Sequence, residues 1–554
     1  MPLETTARIV QELAERGYNA DREAVTLLAS APDPEHAIDR AVEMAPDDVI
    51  VLSAAHVRET LEDATSGAAT GETGGSPPTP TTPDEPGDND PSISSGTPLK
   101  ESRDSGGDSP VETEGSSPAD SGAVSAESGT HSVEPSTRSP GVTASQTSSR
   151  DPSPPETSGD IKSIGTGEYR DFVSVFRDRY EKLASMLRGR VNHRPAASLA
   201  SASDGTDAGL VGMVSDLRTT KNGHWLVELE DTSGTFPCLI LKDREFADEA
   251  RELLYDEVIA VSGSVSNDGV NDDGIMFVDD LYFPDVPRTY SRSQADRHVE
   301  AALISDVHVG SQEFLEDAWQ RFADWLHTEE AKRIEYLLIA GDMVEGVGVY
   351  PNQDEELDII DIYDQYEQFS EHLKDVPGDI EIVMIPGNHD AVRLAEPQPA
   401  FDEELRDIMS AHDARIAANP STVTIEGVSV LMYHGVSLDE LIAELPEEAA
   451  SYDRPQDAMA RLLKKRHVAP QYGGMTRIAP EPEDHLVIDE VPDIFHTGHV
   501  HKLGYGTYHN VLTINSSCWQ SQTDFQKSVN LDPDVAYAPI VRLDTFDLTI
   551  RHFE

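Results

Sequence analysis

Residues 385–390 read Ile-Pro-Gly-Asn-His-Asp and close an apolar run that begins at Ile380. An apolar run that ends in Pro-Gly and then in three polar residues is typical of a buried parallel strand, because open α/β sheets place their sites at the carboxyl ends of such strands. Asn, Asp and Gly also form ordinary turns, so this stretch alone does not separate a functional site from a turn.

Four further apolar runs end in the same kinds of residue. Each is followed within a few positions by aspartate or histidine: Asp306 and His308, Asp342, His434, and His499 and His501. Asp, Asn and His are the ligands of two-metal hydrolytic centres. Five such strand ends in one chain therefore predict a metal site rather than five unrelated turns.

The motif series D-x-H, G-D, G-N-H-D, H-G and G-H-x-H resembles the calcineurin-like metallophosphoesterase superfamily over residues 298–554. This resemblance implies an α/β sandwich with two metal ions at its strand ends. Two cations about 3.5–4 Å apart can hold both the attacking and the leaving oxygen at phosphorus. The implied ligands are Asp306, His308 and His501 for the first ion, Asn388, His434 and His499 for the second, and Asp342 as the bridge between them.

The resemblance also assigns roles to the two residues after Asn388. His389 would protonate the leaving 3′ oxygen or stabilise charge on the phosphoryl group. Asp390 would orient the His389 imidazole by a hydrogen bond. Ordinary turn polarity is the alternative for both residues. The mixed nitrogen and oxygen ligands favour Mn²⁺ for the two divalent ions and leave Fe or Zn open.

Three other histidines do not end an apolar run in this way. His412 and His467 lie on helix-like stretches, and His496 precedes the last motif by one strand step. We interpret all three as surface or packing residues.

The composition is strongly acidic, with 42 Lys and Arg against 103 Asp and Glu and a formal net charge of −61 over 554 residues. Molar salt shortens the Debye length to about 3 Å and makes such self-repulsion tolerable. We therefore expect a high-salt cytoplasm, in which acidity does not exclude DNA as a substrate. Two cysteines argue against a disulfide framework, and no apolar run approaches a membrane helix of about 20 residues.

The N-terminal 165 residues divide into two parts. Residues 1–62 repeat apolar positions at helical spacing and predict a small helical docking module, with a self-contained helical cap as the alternative. Residues 63–165 are rich in Ser, Thr, Pro, Gly and acids. Because such a stretch cannot offset its ordering entropy, it predicts a disordered acidic linker.

The next two segments differ in the period of their apolar residues. Residues 166–200 carry helical periodicity from Tyr169 to Arg190 and predict a helix that braces neighbouring domains. Residues 201–290 change to a period of two, with a helical stretch over residues 245–254 between the third and fourth strands, which predicts an OB-fold. Its basic residues are scattered among acids, so we favour a scaffold role over the binding of single strands.

Residues 291–554 are expected to form the two-metal phosphodiesterase domain, with a crossover helix over residues 313–328. Residues 515–527 read Asn-Ser-Ser-Cys-Trp-Gln-Ser-Gln-Thr-Asp-Phe-Gln-Lys, and this segment is similar to one in the small subunits of archaeal family D DNA polymerases. The resemblance implies a large catalytic subunit as partner. We expect it to dock on apolar surface that includes Trp519 and Phe525, with packing of both inside the domain as the alternative.

The predicted fold class is a multidomain α+β chain in which an OB-fold β-barrel precedes a calcineurin-like α/β sandwich. The implied function is that of a small subunit of a two-subunit archaeal replicative polymerase. It would carry a metal-dependent 3′–5′ exonuclease that acts on single-stranded 3′ ends of DNA for proofreading. A non-proofreading phosphoesterase or repair nuclease, and a purely structural scaffold subunit, are the alternatives.

Overall fold

The computed structural model describes residues 150–158, 161, 165–267, 274–350, 353–410 and 414–554, together with short stretches among the first 58 residues. Most of the predicted linker, residues 63–165, lies outside the described residues, as does His412. Within the described part of the chain, no helix is both long and apolar enough to cross a membrane.

The described N-terminal residues contain a small apolar core. The regular elements described here include the helix Arg22–Ala29 and the parallel strands β1 (Asn19–Ala20) and β2 (Val51–Leu52). Further described residues are also helical, among them Ile9, Leu13 and Ile38. Apolar positions that the helical periodicity picks out share one buried cluster: Ile9, Leu13, Val25, Leu28 and Ile38.

The end of the predicted linker is folded. Strand β3 (Glu156–Thr157) pairs antiparallel with the strand Ser421–Ile425. Arg150 forms an ion pair with Asp379 at 2.7 Å and donates to the carbonyl of Leu326 at 2.6 Å. The linker prediction is therefore wrong for residues 150–158. Composition alone predicts disorder there, but hydrogen bonds to distant residues satisfy polar groups of this segment.

The predicted bracing helix is Tyr169–Leu187. Its Leu183 packs with Val211 of the neighbouring barrel. On the same helix, Arg179 Nε lies 2.7 Å from Asp484 Oδ2 in a fully buried ion pair. The helix therefore contacts both the barrel and the last part of the chain.

A closed barrel follows the helix Ala196–Leu199. Its strands are β4 (Thr206–Thr219), β5 (Trp225–Asp231), β6 (Gly234–Ile240), β7 (Val258–Ser266) and β8 (Ile275–Tyr282). They are hydrogen-bonded in the order β4-β5-β6-β8-β7. Alternate side chains face inward, so the period of two in the sequence becomes an apolar core.

The helix expected over residues 245–254 is wrong in length. The regular structure there is a 3₁₀ turn, Glu249–Glu252. Ala250, Leu253 and Leu254 are buried. The apolar spacing that indicated a helix therefore belongs to the mostly irregular connection between β6 and β7. A few of its side chains are buried although they lie on turns.

The last part of the chain contains two six-stranded sheets. Their further strands are β9 (Glu300–Ile304), β10 (Ile334–Ala340), β11 (Glu381–Ile385), β12 (Arg415–Ile416), β13 (Ser421–Ile425), β14 (Val428–Met432), β15 (Ile494–Thr497), β16 (Leu503–Tyr508), β17 (Val511–Ser516), β18 (Tyr537–Arg542) and β19 (Leu548–His552). The first sheet has the order β12-β11-β10-β9-β18-β19, and the second β16-β17-β15-β14-β13-β3. Strands β9 to β12 are parallel to one another, as are β14, β15 and β17.

The two sheets face each other, because Leu303 of β9 and Val430 of β14 belong to one buried cluster. Ile304, the next residue after Leu303, lies in a second cluster on the outer face of the first sheet. Helices cover the outer faces of both sheets and complete the layers: Glu316–Leu326 and Ile362–Leu373 over the first, and Ser437–Glu444 and Pro455–Lys465 over the second.

The remaining described helices are short: Glu403–Ile408 and Asp524–Ser528. The predicted crossover helix is present as Glu316–Leu326, inside the expected range of residues 313–328. The chain is thus a mixed α+β protein with a closed barrel and two facing sheets. Because parallel strands of one sheet end at the same edge, the loops after β9, β10 and β11 lie at a common rim.

Candidate metal centre

The rim gathers the residues that the sequence analysis singled out. Asp306 and His308 follow β9, and Asp342 follows β10. Asn388 follows β11 in the same sheet, and His434 follows β14 in the facing sheet. The loop after β15 adds the last two residues, His499 and His501.

A first group consists of Asp306, His308 and His501, whose ligand atoms all lie within 4.8 Å of one another. The Nε2 atoms of the two imidazoles are 3.1 Å apart, and His501 Nε2 is 3.5 Å from Asp306 Oδ1. All three side chains are buried. Two ring nitrogens that face each other beside a carboxylate form a donor set that suits a divalent cation.

A second group consists of Asp342, His434 and His499, again within 4.8 Å of one another. His434 Nε2 lies 3.2 Å from Asp342 Oδ2 and 2.9 Å from Asn388 Oδ1. Asp342 Oδ2 is also 3.9 Å from His308 Nε2, in the first group. A third group, His308, Asp342 and His389, connects the first two. The seven predicted ligands therefore converge, with Asp342 between the two sets.

Five of these seven residues adopt left-handed backbone conformations. Asp306, His308, Asp342, His499 and His501 have φ of 54°, 56°, 51°, 71° and 53°. Each such conformation costs a residue other than glycine roughly 1–2 kcal/mol. Strain of this kind persists only where the surrounding structure imposes it, and it clusters at functional sites.

Glycines let the backbone approach these side chains. A Cβ added to Gly387 would collide with the Asp342 carboxylate, and a Cβ added to Gly341 would collide with the His434 ring. Gly341 also has a φ of 91°. The two glycines of the G-D and G-N-H-D motifs are therefore needed for close packing around the carboxylate.

Glu345 is a buried residue that the sequence analysis missed. Its Oε2 lies 2.8 Å from His308 Nδ1, and its Oε1 accepts from Tyr350 OH at 3.1 Å. Gln520 Nε2 donates to the same carboxylate at 2.7 Å, and His389 Nδ1 donates to the Glu345 carbonyl at 2.7 Å. A charged residue in the apolar stretch after Asp342 was the only sequence signal for it.

Each of three other imidazoles has a polar partner at one of its ring nitrogens. His501 Nδ1 is 2.8 Å from Gln526 Nε2, and His499 Nε2 is 3.1 Å from Asp439 Oδ2. His434 Nδ1 donates to the carbonyl of Ala340 at 2.9 Å. Acceptors such as Asp439 and the Ala340 carbonyl orient a ring so that its other nitrogen faces a metal, whereas the Gln526 amide fixes only the position of the His501 ring. Gln526 lies in the 515–527 segment that the sequence analysis singled out, whereas Asp439 carried no sequence signal beyond its polarity.

The electrostatics of the cluster favour bound positive charge. Burial opposes ionisation of Asp342, yet the imidazoles of His434 and His389 hold its pKa well below its usual range. Burial likewise opposes a charged His434, but the Asp342 carboxylate raises its pKa to about 10. Burial would raise the pKa of Glu345, and His308 lowers it to about 2. A metal ion would replace imidazole protons in this negative field.

His389 lies beside the cluster and reaches open space. Its ring packs edge-on against the His308 ring with centroids 4.8 Å apart, and 17% of its side chain is exposed. It lines a cavity of about 630 Å³ together with His308, Asp342, His499 and His501. That volume falls within the range of about 300–1,000 Å³ for small-molecule sites.

The prediction that Asp390 orients the His389 ring is wrong. Asp390 Oδ2 accepts from the backbone N–H of Gly387 at 2.8 Å, and Oδ1 accepts from Tyr366 OH at 3.0 Å. The carboxyl points into the loop instead. There it accepts a hydrogen bond from a backbone N–H group that has no partner within the tight turn. Burial, with Asp342 nearby, raises the pKa of Asp390 to about 7.

Of the three histidines interpreted as surface or packing residues, His467 and His496 are described and are packed inside the fold. His496 is buried, with Nε2 2.9 Å from Ser516 Oγ. His467 is buried, with Nε2 3.0 Å from Asp484 Oδ2. Neither ring reaches the metal groups, because each faces a neighbouring element within the fold.

The two aromatic residues of the 515–527 segment have different environments. Trp519 is fully buried and packs against Trp319 and Phe322, with ring centroids 5.7 and 5.2 Å away. The expectation that Trp519 is part of a docking surface is therefore wrong. Phe525 is 55% exposed and stacks on Tyr350 with centroids 6.0 Å apart.

The family model for the B subunit of DNA polymerases alpha and epsilon matches residues 301–503, a span that contains all seven candidate ligands. This match points to the class of B subunits of DNA polymerases. The chain is 61% identical to the DNA polymerase II small subunit of Halobacterium salinarum over 100% of both chains. It is 44% identical to that of Archaeoglobus fulgidus over 67% of this chain and 75% of the relative. The chain therefore belongs to the DNA polymerase II small subunit family, the small subunits of archaeal family D DNA polymerase.

One solved structure matches a small part of the chain. The asparaginyl-tRNA synthetase of Pyrococcus horikoshii matches 14% of this chain and 19% of its own, with 21% identity and a TM-score of 0.14. A match of that size carries no argument about fold or function.

Proposed function

We propose that this small subunit carries a two-metal 3′–5′ exonuclease that removes nucleotides from single-stranded 3′ ends of DNA for proofreading. The observation that carries the proposal is the convergence of seven candidate ligand side chains in two groups that the contact between His308 and Asp342 connects, beside a cavity of about 630 Å³. Synthesis would reside in a large catalytic subunit, with which a small subunit of a DNA polymerase is expected to assemble.

The residues fit two divalent cations. Asp306, His308 and His501 would hold one, Asn388, His434 and His499 the other, and Asp342 would offer an oxygen to each. When bound, such ions polarise phosphoryl oxygens and lower the pKa of an attacking water. Imidazole nitrogens mixed with carboxylate and amide oxygens favour Mn²⁺, with Fe or Zn as the other candidates.

The chain itself positions the ligands and supplies a proton. Hydrolysis adds the oxygen of water to phosphorus, breaks the P–O3′ bond and leaves a 3′ hydroxyl on the shortened strand. His389 borders the cavity and donates from Nδ1 to the Glu345 carbonyl, so its Nε2 is the ring atom free to face a substrate. We assign this atom the donation of a proton to the leaving 3′ oxygen. The imidazole then regains a proton from solvent.

Asp390 has a different role from the one expected. It accepts from the backbone N–H of Gly387, and Met343 N lies 3.4 Å away. We propose that Asp390 fixes the 385–390 loop and so acts on Asn388 and His389 through the backbone.

The architecture fits the same proposal. We assign the closed barrel to the OB-fold and the two facing sheets with their outer helices to the calcineurin-like fold. The corresponding domains are residues 1–62 for the docking module, 63–165 for the linker apart from its folded end, 166–200 for the bracing helix, 201–290 for the barrel and 291–554 for the phosphodiesterase.

A scaffold subunit without chemistry is the second candidate. Against it stands the burial of Asp306, Asp342 and His434 with strained backbone at two of them. A scaffold would gain stability by replacing buried charges with apolar side chains. The retained charges therefore favour catalysis.

The test is the Mn²⁺-dependent degradation of a 5′-labelled single-stranded oligodeoxynucleotide by the full-length chain. Asp342→Asn keeps the shape of the side chain and removes the shared charge, so we expect activity to fall roughly a thousandfold or more, beyond the 10- to 100-fold typical for residues behind a ligand. Asp547→Asn, at an exposed position of the same domain, should retain wild-type activity. Equal rates for Asp342→Asn and the wild type would refute the proposal.

A further inference from the structure

An aromatic path runs from the mouth of the cavity to the metal cluster. The rings of Phe525, Tyr350, His389 and His308 follow one another, with centroid distances of 6.0, 6.4 and 4.8 Å. Phe525 and Tyr350 are nearly parallel, with an interplanar angle of 27°. The outermost ring, Phe525, is 55% exposed.

Basic side chains are scarce around this cavity. Among the described residues that line it, Lys502 is the only Lys or Arg, and it is already bonded to the carbonyl of Asp532 and to Asp534. Five carboxylates line the same walls: Asp342, Glu345, Asp439, Asp453 and Asp532. A polynucleotide therefore finds little phosphate recognition here apart from the metal groups, and contacts with its bases have to hold it.

The aromatic wall is fixed before any substrate binds. Tyr350 OH lies 3.1 Å from Glu345 Oε1 and 3.3 Å from Glu356 Oε2, and it donates its single proton to one of these two carboxylates. Burial and these carboxylates raise the pKa of Tyr350, so its hydroxyl stays protonated and remains a donor. The Tyr350 ring is thereby locked in the orientation on which Phe525 stacks.

The helix that carries Phe525 also supports a metal ligand. In Asp524–Ser528, the residue next to Phe525 is Gln526, whose Nε2 lies 2.8 Å from His501 Nδ1. Thr523 caps this helix by accepting from the Gln526 N–H. A contact at Phe525 is therefore tied within one helical turn to the geometry of the first metal group.

Resting on the proposed function, we propose that Phe525, backed by Tyr350, is a stacking platform for a nucleobase next to the scissile phosphate. The substrate class that it selects is single-stranded nucleic acid with an unpaired, accessible base at the end of the strand. Every base has an aromatic face, so such a platform accepts all four bases. Stacking is also less weakened by salt than ion pairing between exposed charges.

The test compares four full-length proteins in Mn²⁺: the wild type, Phe525→Ala, Phe525→Trp and Tyr505→Ala. Tyr505 is an exposed aromatic residue elsewhere in the same domain and serves as the matched control. The substrates are a short single-stranded oligodeoxynucleotide and versions with an abasic residue at the last or the penultimate position.

We expect Phe525→Ala to raise KM for the normal strand by roughly 5- to 100-fold, as for loss of one stacked base, with little change in kcat. Phe525→Trp should restore a low KM, because a larger aromatic face stacks at least as well, and Tyr505→Ala should behave as the wild type. With the abasic residue at one of the two positions, the wild type should already show the raised KM and Phe525→Ala should add nothing.

Three outcomes would overturn the inference. One is an unchanged KM in Phe525→Ala together with weaker association with the large subunit, which would make Phe525 a protein-docking residue. Another is an equal effect of Phe525→Ala on the normal strand and both abasic strands, which would show that no base is involved. If the wild type degrades none of the strands, the proposed exonuclease function is refuted. The stacking platform, which rests on that function, is then refuted as well.

Discussion

The closed barrel and the ligand rim of the two sheets are built in opposite ways. The barrel core is formed by apolar side chains such as Leu210, Val227 and Phe236. None of the non-glycine residues in its five strands, all of which are described, has a positive φ. The rim instead buries charged groups such as Asp342 and His434, and five of its seven candidate ligands have left-handed backbone.

This contrast separates stability from function. A buried apolar side chain stabilises a fold by about 1.5–3 kcal/mol. Strained backbone instead costs of order 1–3 kcal/mol at each residue. The rim is therefore held in place by the sheets beneath it and contributes little stability of its own. Substitutions in the barrel should change the free energy of unfolding, whereas substitutions at the rim should change metal binding and rate.

The largest effect is expected in the barrel. Phe236→Ala should lower the free energy of unfolding by about 3–5 kcal/mol, because it leaves a cavity at a fully buried position. Chemical denaturation measures this loss, and the nuclease rate per folded molecule should stay unchanged. Tyr255→Ala, at a position 42% exposed near the barrel, is the control and should stay within about 0.5 kcal/mol of the wild type. A lower rate per folded molecule in Phe236→Ala would contradict the separation of stability in the barrel from catalysis at the rim.

An intermediate effect, on metal affinity, is expected at Glu345, which contacts the candidate ligand His308. Glu345→Gln removes the negative charge that faces His308 Nδ1 at 2.8 Å, and metal affinity should fall roughly 10- to 100-fold. Titration calorimetry with Mn²⁺ measures it. Glu356→Gln is the matched control, since Glu356 also accepts from Tyr350 OH but lies behind no candidate ligand. Equal affinities for the two variants would show that Glu345 only fills space.

The smallest effect concerns pH. Burial raises the pKa of Glu396 from 4.5 to about 7, although Tyr433 OH donates to it at 3.0 Å. A carboxyl with a raised pKa contributes stability that is complete below its unfolded pKa and is lost as the pH rises through the folded pKa. The wild type should therefore lose stability as the pH rises from about 4.5 to about 7, by at most about 1.4 kcal/mol per pH unit.

Glu396→Gln should make this dependence shallower, because the amide cannot titrate, while Asp390, whose pKa is also raised to about 7, retains part of it. Glu367→Gln, at an exposed position, should leave the slope as in the wild type. Unfolding by denaturant at several pH values measures both slopes. A slope in Glu396→Gln as steep as that of the wild type would place the titrating group elsewhere.

The strand-end motifs predict where the candidate ligands meet. Apolar runs that end in Asp, Asn or His predict strand ends, and the parallel order of those strands brings Asp306, Asp342 and Asn388 to one edge without further information. The period of two over residues 201–290 likewise predicts the barrel. These inferences hold because strand geometry and the hydrophobic pattern are local properties of the chain.

Which side chains support the ligands, and which face solvent, is visible only in the folded chain. Glu345 meets Gln520 across 175 residues of chain, a separation that no local pattern encodes. Residues 150–158 are folded because a distant strand supplies their hydrogen bonds. Trp519 and Phe525 stand six residues apart in one motif, yet one is buried and the other exposed. The physical reason is that hydrogen-bond partners and burial depend on which elements converge in space, whereas periodicity records only the conformation of each element.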